Sequence, residues 1–188
     1  MSKLIHYSGP AGSILLPQGY TRLAYIEGNA DAWFSAGIAA TANTKYKIKF
    51  SVKNRGSWNM MFGRWSNCAI GIHPSMYLYI NGSDVGAIKE DEICDVTASS
   101  SAVYFKSKNS ITCNKVSAHP VKLAVFGGTN ASDTDNAWWG YGKGRIYELK
   151  IWEGNTLIRD YVPAKNSSGV AGLLDLVDNS WHPSSTST

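Results

Sequence analysis

Tyr46-Lys47-Ile48-Lys49-Phe50-Ser51-Val52 decides the fold. Side chains alternate faces along a strand, so Tyr46, Ile48, Phe50 and Val52 point one way, toward a core, and Lys47, Lys49 and Ser51 the other, toward water. The same period of two recurs at Met76-Tyr77-Leu78-Tyr79-Ile80, with Met76, Leu78 and Ile80 inward. Asn81-Gly82 follows at once, a dipeptide that tolerates the positive φ angles of a tight hairpin. The returning strand is expected through Val85 and Ile88. Further strands are predicted at 102–106, 121–126, 145–152 and 157–162, with Glu153-Gly154-Asn155-Thr156 turning between the last two. No segment carries apolar residues at helical spacing over three turns. Many short strands with Gly-rich connections predict an all-β fold of two antiparallel sheets packed face to face.

Composition agrees. Of 188 residues, 44% are hydrophobic, 17% charged and 12% aromatic, a balance that suits strands. A chain of this length buries about 70% of the surface its unfolded form exposes, so packing alone can hold a core. One domain is read over residues 16–183. Ahead of it, residues 1–15 hold Gly9-Pro10-Ala11-Gly12 and an apolar patch before Pro17, punctuation that predicts an extended arm able to dock on a neighbour. Behind it, residues 184–188 read as a loose tail.

Cys68, Cys94 and Cys113 are odd in number and widely spaced, which reads as reduced thiols in a strand-rich core. The net charge of +4 is scattered. Its densest stretch, Lys45, Lys47, Lys49 and Lys53, alternates with apolar residues and reads as the solvated face of a strand, so no nucleic-acid partner is expected. The first residues lack the basic flank and apolar run of a secretory signal, and no stretch approaches the roughly 20 apolar residues of a membrane span. The expectation is a chain made in a cytoplasm, without membrane insertion, that leaves inside an assembled particle or after lysis.

Leu16-Pro17-Gln18-Gly19-Tyr20-Thr21-Arg22-Leu23-Ala24-Tyr25-Ile26-Glu27, followed by Gly37-Ile38, resembles the opening of laminin-G-like domains found in phage tail and bacterial surface proteins. Three later runs are similar to that family's closing strands in order and spacing: Gly144 to Ile151, Leu157 to Ala164, and Gly169 to Val177. The resemblance implies a concanavalin A-like jelly roll. Within it Pro163, lacking an N–H, is expected to end a strand, and Gly172 to allow a close approach before Leu173, Leu174 and Leu176 return to the core. Ser35 stands where relatives often place an Asp.

The glucanases of that superfamily flank the scissile bond with two carboxylates. Glu90-Asp91-Glu92 with Asp95 is the acidic cluster here, but position 94 is Cys and Asp95 points away, so a solvated loop is the reading. His6, His73, His119 and His182 are far apart and no serine sits in a Gly-x-Ser-x-Gly elbow. Cys68 and His73 lack the second pair of a zinc site. The loop 130–136 offers hard oxygens for calcium but lacks the spacing of a calcium loop, and reads as an Asx-rich turn. No cofactor, metal or catalytic residue is expected.

The aromatics carry the binding hypothesis. Adjacent residues on a strand face opposite sides, so Trp138 and Trp139 cannot both be core if one side is covered. An exposed indole beside Asn130, Asp133 and Asp135, with Tyr141, would cover the apolar face of a pyranose while amides and carboxylates take its hydroxyls. Trp58 and Trp65, with Arg64 and Asn59, would line a second edge. The competing reading packs these rings in the sandwich or in a subunit interface, as assigned to Trp33, Trp152 and Trp181. The expected function is a non-catalytic phage virion component, a tail, fibre or head-decoration module acting as a homo-oligomer. A lectin-like glycan-binding module is the alternative, and a glycoside hydrolase the third.

Overall fold

The alternation at residues 46–52 is realised in a strand with neighbours on both sides. The structure is a computed structural model and describes residues 15–28, 32–53, 58–64, 67–106, 111–129, 137–139, 142–183 and 185–186. Among the described residues are 18 strands and no helix. In chain order they are β1 (Thr21–Arg22), β2 (Ile26–Gly28), β3 (Ala32–Ala39), β4 (Thr44–Val52), β5 (Asn59–Arg64), β6 (Cys68–Ile72), β7 (Tyr77–Ile80), β8 (Ser83–Ala87) and β9 (Cys94–Ala98). There follow β10 (Val103–Phe105), β11 (Lys122–Val125), β12 (Gly128–Thr129), β13 (Ala137–Trp139), β14 (Gly144–Glu153), β15 (Thr156–Lys165), β16 (Ala171–Asp175), β17 (Trp181–Pro183) and β18 (Ser185–Thr186).

One sheet runs β10-β9-β4-β14-β15-β16-β17, with β2 added to β14 and β1 to β15; the other runs β18-β3-β11-β5-β6-β7-β8, with β12 and β13 beside β5. Pairing is antiparallel except for the single Thr129↔Arg64 bridge. The protein is an all-β two-sheet sandwich whose chain passes repeatedly between the layers.

The core forms where the two inner faces meet. Tyr46, Ile48, Phe50 and Val52 are fully buried, as the period of two predicts, and join Leu149 and Ile151 of β14. Met61, Phe62, Ile70, Ile72, Leu78 and Ile80 come from the opposite sheet. Each such side chain contributes about 1.5–3 kcal/mol on leaving water. The Tyr46 and Phe62 rings meet edge to face across the layers, centroids 5.1 Å apart.

Four local expectations are corrected. Ser51, assigned to water, is fully buried: a bulge between Ile146 and Glu148 swells β14 on that face, and the Ser51 Oγ lies 3.3 Å from the Tyr147 hydroxyl. Met76 does not open the strand but turns into it at φ 62°, still buried. Pro163 does not end β15. Its neighbour changes there from β14 to β1, and its carbonyl accepts from Leu23 N at 2.9 Å in the gap. The N and the carbonyl of one strand residue face the same edge, so Pro163 keeps its carbonyl bond to Leu23 and forgoes only the reciprocal N–H bond, just beyond the end of β1. Leu176 sits in a turn and is half-buried against Val162, Ala164 and Leu174. Gly172 does meet a close approach: a Cβ there would stand 2.6 Å from the His182 carbonyl. In the C-terminal segment, Ser185 and Thr186 pair with Trp33 and Ala32.

Asn81 does more than turn the chain. With φ 48° it and Gly82 (φ 95°) form the hairpin between Ile80 and Ser83, as the dipeptide predicts. Yet Asn81 is also fully buried. Its Oδ1 accepts from Ala69 N (2.9 Å) and from the Tyr46 hydroxyl (3.2 Å), and its Nδ2 donates to the Asn114 carbonyl (3.1 Å). One amide thus ties β4 of one sheet to β6 and to the 114–117 segment on the other. Burial holds the Tyr46 phenol well above its usual pKa, so it stays a donor. Asn81→Ala strands these partners in the core and should cost about 2–4 kcal/mol in urea unfolding followed by tryptophan fluorescence. A loss below about 1 kcal/mol would show the amide to be dispensable.

Candidate functional site

The first aromatic set falls largely outside the described residues. Tyr141, Asn130, Asp133, Asp135 and Trp65 lie there, and so does the calcium reading of 130–136. Trp138 and Trp139 are described by backbone alone, on β13, which pairs with β12 beside β5. Trp58 is described and half-buried. Its expected companions are not available to a ligand. Asn59 is fully buried and its Oδ1 accepts from Lys143 N at 3.0 Å, while Arg64 is 7% exposed and donates to Asn67. Both are drawn inward because 59–64 is buried along its whole length.

What the structure does bring together with Trp58 was not read from the sequence as a set. Leu78 and Ile80 are core, so Tyr77 and Tyr79 face outward on β7. Tyr79 stands between Gly71 on β6 and Asp84 on β8. His73 N donates to the Tyr77 carbonyl at 2.8 Å, carrying the β6–β7 pairing one step on, and Tyr77 stands opposite Ala87. Trp58 meets both His73 (4.7 Å, 75°) and Tyr79 (5.5 Å, 88°) edge to face. The His73 Nδ1 is held by Ser75, through its hydroxyl (2.6 Å) and its amide (3.3 Å). Tyr79 is covered, but Tyr77 remains 46% exposed because its strand neighbour Ala87 is small.

The acidic cluster is a turn held by cations. Asp91 has φ 56°, and its amide donates to the Val52 carbonyl at 2.8 Å. Glu92 pairs with Lys106 and accepts from Lys89 N (2.7 Å), Asp91 lies 3.4 Å from Arg145, and Asp95 lies 3.7 Å from Lys47. The lysine face of β4 is likewise engaged: Lys47 reaches Glu148 (3.6 Å), Lys53 reaches Glu27 (3.0 Å), and Lys45 lies over the Trp152 ring (4.5 Å). Cys68 and Cys94 are buried free thiols and Cys113 is half-buried. Burial pushes the Cys68 thiol far up and Cys94 up to about 12. Among the described residues no group of three His, Cys, Asp or Glu is placed to hold a metal ion.

A second polar cluster closes one edge of the sandwich. Arg159 on β15 donates to the carbonyls of Ile158 (2.8 Å) and, across the layers, Ala36 (3.4 Å). It also faces Asp175 (3.5 Å) and Asp178 (3.6 Å). The Tyr161 hydroxyl donates to the same Ala36 carbonyl at 2.7 Å, and the His182 ring stands edge to face on Tyr161 at 5.1 Å. Asp175 is fully buried and its Oδ1 accepts from Asp160 N and Val177 N. These groups clasp two sheets, with each charge facing its opposite.

No family model matches the chain, and neither a curated protein nor a solved structure matches it. Its class is the architectural one that the two packed sheets define.

The clasp titrates in one direction. Burial lowers the His182 pKa from 6.5, against the pull of Asp175 and Asp178 and with the help of Arg159. Hydrogen bonds from Ser180 lower the Asp178 carboxyl from 3.8. For both groups the folded form binds its proton less readily than the unfolded form. The stabilisation is full above the unfolded value and is lost as pH falls through the folded one. The urea midpoint should therefore fall between pH 7 and pH 5, and His182→Asn should flatten that part of the profile. Parallel profiles for the two proteins would exclude His182 as its source.

Proposed function

We propose that the chain is a non-catalytic component of a phage particle, a tail, fibre or head-decoration module that serves assembly or attachment to a host surface. The reading rests on the resemblance to laminin-G-like domains, and one observation supports it. The two segments that carry the resemblance are far apart in sequence but hydrogen-bonded neighbours in space. Ile26 of the opening run pairs with Ile146 of the closing one, and Arg22 pairs with Ala164. The closing runs themselves form β14, β15 and β16, three consecutive neighbours in one sheet. A chance likeness of short runs would not require such adjacency.

Of the acidic residues considered for hydrolysis, Glu92, Asp91 and Asp95 are engaged by Lys106, Arg145 and Lys47, which favours a binding role over glycoside cleavage. Glycan binding is the second reading, favoured by the half-buried Trp58 and the exposed Tyr77 on one outer face. The two readings join if the particle uses the domain to adhere. In the first, the chain acts as a homo-oligomer on a virion, made in a host cytoplasm, with other virion proteins or itself as partners. Light scattering on the full chain should give a closed oligomer, and on a chain starting at Leu16 a smaller species. A monomer in both would remove the assembly reading.

A further inference from the structure

We propose that the outer face of β6–β8 is a binding site for a neutral hexopyranose, centred on the Tyr77 ring. This rests on the attachment half of the function proposed above and names its ligand class and its place.

The argument begins with the register. Outward-facing residues across β6, β7 and β8 form two adjacent rows: Gly71, Tyr79 and Asp84, then His73, Tyr77 and Ala87, with Trp58 leaning over from the start of β5. Directly opposite residues in an antiparallel pair hold their Cβ atoms about 4.5–5.5 Å apart. The second row therefore presents a bare aromatic ring between an imidazole and a methyl group. The first row sets a carboxylate within one residue of it. A sugar needs those two things together, an apolar ring face to cover its C–H face and planar polar groups at the rim to take its hydroxyls.

The rim is supplied by one imidazole held in place and one exposed carboxylate. His73 is held by Ser75 at Nδ1 and braced by Trp58, which leaves Nε2 as its second polar atom. Asp84 is exposed on the edge strand, an acceptor for a vicinal diol. Trp58 and Tyr79, set edge to face, brace the platform so that it does not collapse onto itself. The edge strand contributes small residues, Ser83, Gly86 and Ala87, which leave the site open to one side for a chain end or a branch.

Charge selects among sugars. Neither row contains a lysine or arginine, and Asp84 is its carboxylate, so an acidic sugar would meet a like charge while a neutral one would not. Surface polysaccharide, in many copies, would then be held by weak sites that oligomerisation multiplies.

The test uses the full-length protein on an array of bacterial surface glycans, followed by titration of tryptophan fluorescence with methyl β-D-galactopyranoside, methyl β-D-glucopyranoside and methyl β-D-glucuronide. Wild type should bind neutral sugars and not the glucuronide. Tyr77→Ala, an exposed position, should weaken binding about tenfold or more, as should Asp84→Asn. Tyr104→Ala on β10, with a ring 43% exposed but outside these rows, should bind as wild type and controls for folding. Undiminished binding by Tyr77→Ala overturns the inference while leaving attachment standing. No binding of any glycan by wild type overturns it too, and the light-scattering result still decides the particle reading separately.

Discussion

The pairing of β4 with β14 is the constraint on which the rest of the sandwich depends. It is a nine-position ladder from Thr44↔Glu153 to Val52↔Gly144, interrupted once by the bulge at Tyr147. On its inner face it sets Tyr46, Ile48, Phe50, Ile146, Leu149 and Ile151 in one layer. From its flanks the sheet grows through β9 on one side and β15 on the other, and β2 docks on the end of β14. Because side chains repeat every two residues, a slip of one position would turn that layer to water, so the hydrophobic pattern enforces the register. Gly144 shows how tight the fit is: a Cβ there would stand 2.2 Å from the Ser51 carbonyl.

Two polar devices then fix the second sheet against the first. From β4 the Tyr46 hydroxyl reaches the Asn81 amide, which also grips the backbone of Ala69. From β15, Arg159 and Tyr161 both reach the Ala36 carbonyl. Hydrophobic burial is nondirectional and would tolerate small rotations of one layer over the other. Buried hydrogen bonds are directional and costly to leave unmade, so they select one orientation. The outer faces then differ in character. That of the first sheet is laced with ion pairs among Lys47, Asp95, Glu148, Lys53, Glu27 and Arg145, whereas that of the second presents aromatic rows at β6–β8.

The strands were legible because their information is local. Period two at 46–52, the Asn81-Gly82 hairpin and the Gly154-Asn155 turn depend on neighbours within a few residues, and each stands where the sequence puts it. Ser51 and Pro163 were misread for one shared reason. Their fate depends on what lies across the sheet, a bulge in β14 and a change of partner from β14 to β1, which no local pattern encodes. The site was legible only in part. Trp58 was singled out, but Asn59 and Arg64 were attached to it by sequence proximity, whereas its true companions, His73 and Tyr79, arrive through the β5–β6–β7 register. Tyr77-Leu78-Tyr79 did carry a signal: aromatic residues on the outward positions of a strand, where polar ones are the rule.

Hydrogen exchange of backbone amides, read residue by residue by NMR in the native state, tests the central role of β4 and β14 most directly. The amides of 46–52 and 146–151 should exchange slowest in the molecule, at the rate set by global unfolding, while those of the edge strands β8 and β10 open first. Protection at β4 and β14 no greater than at those edges would contradict the account.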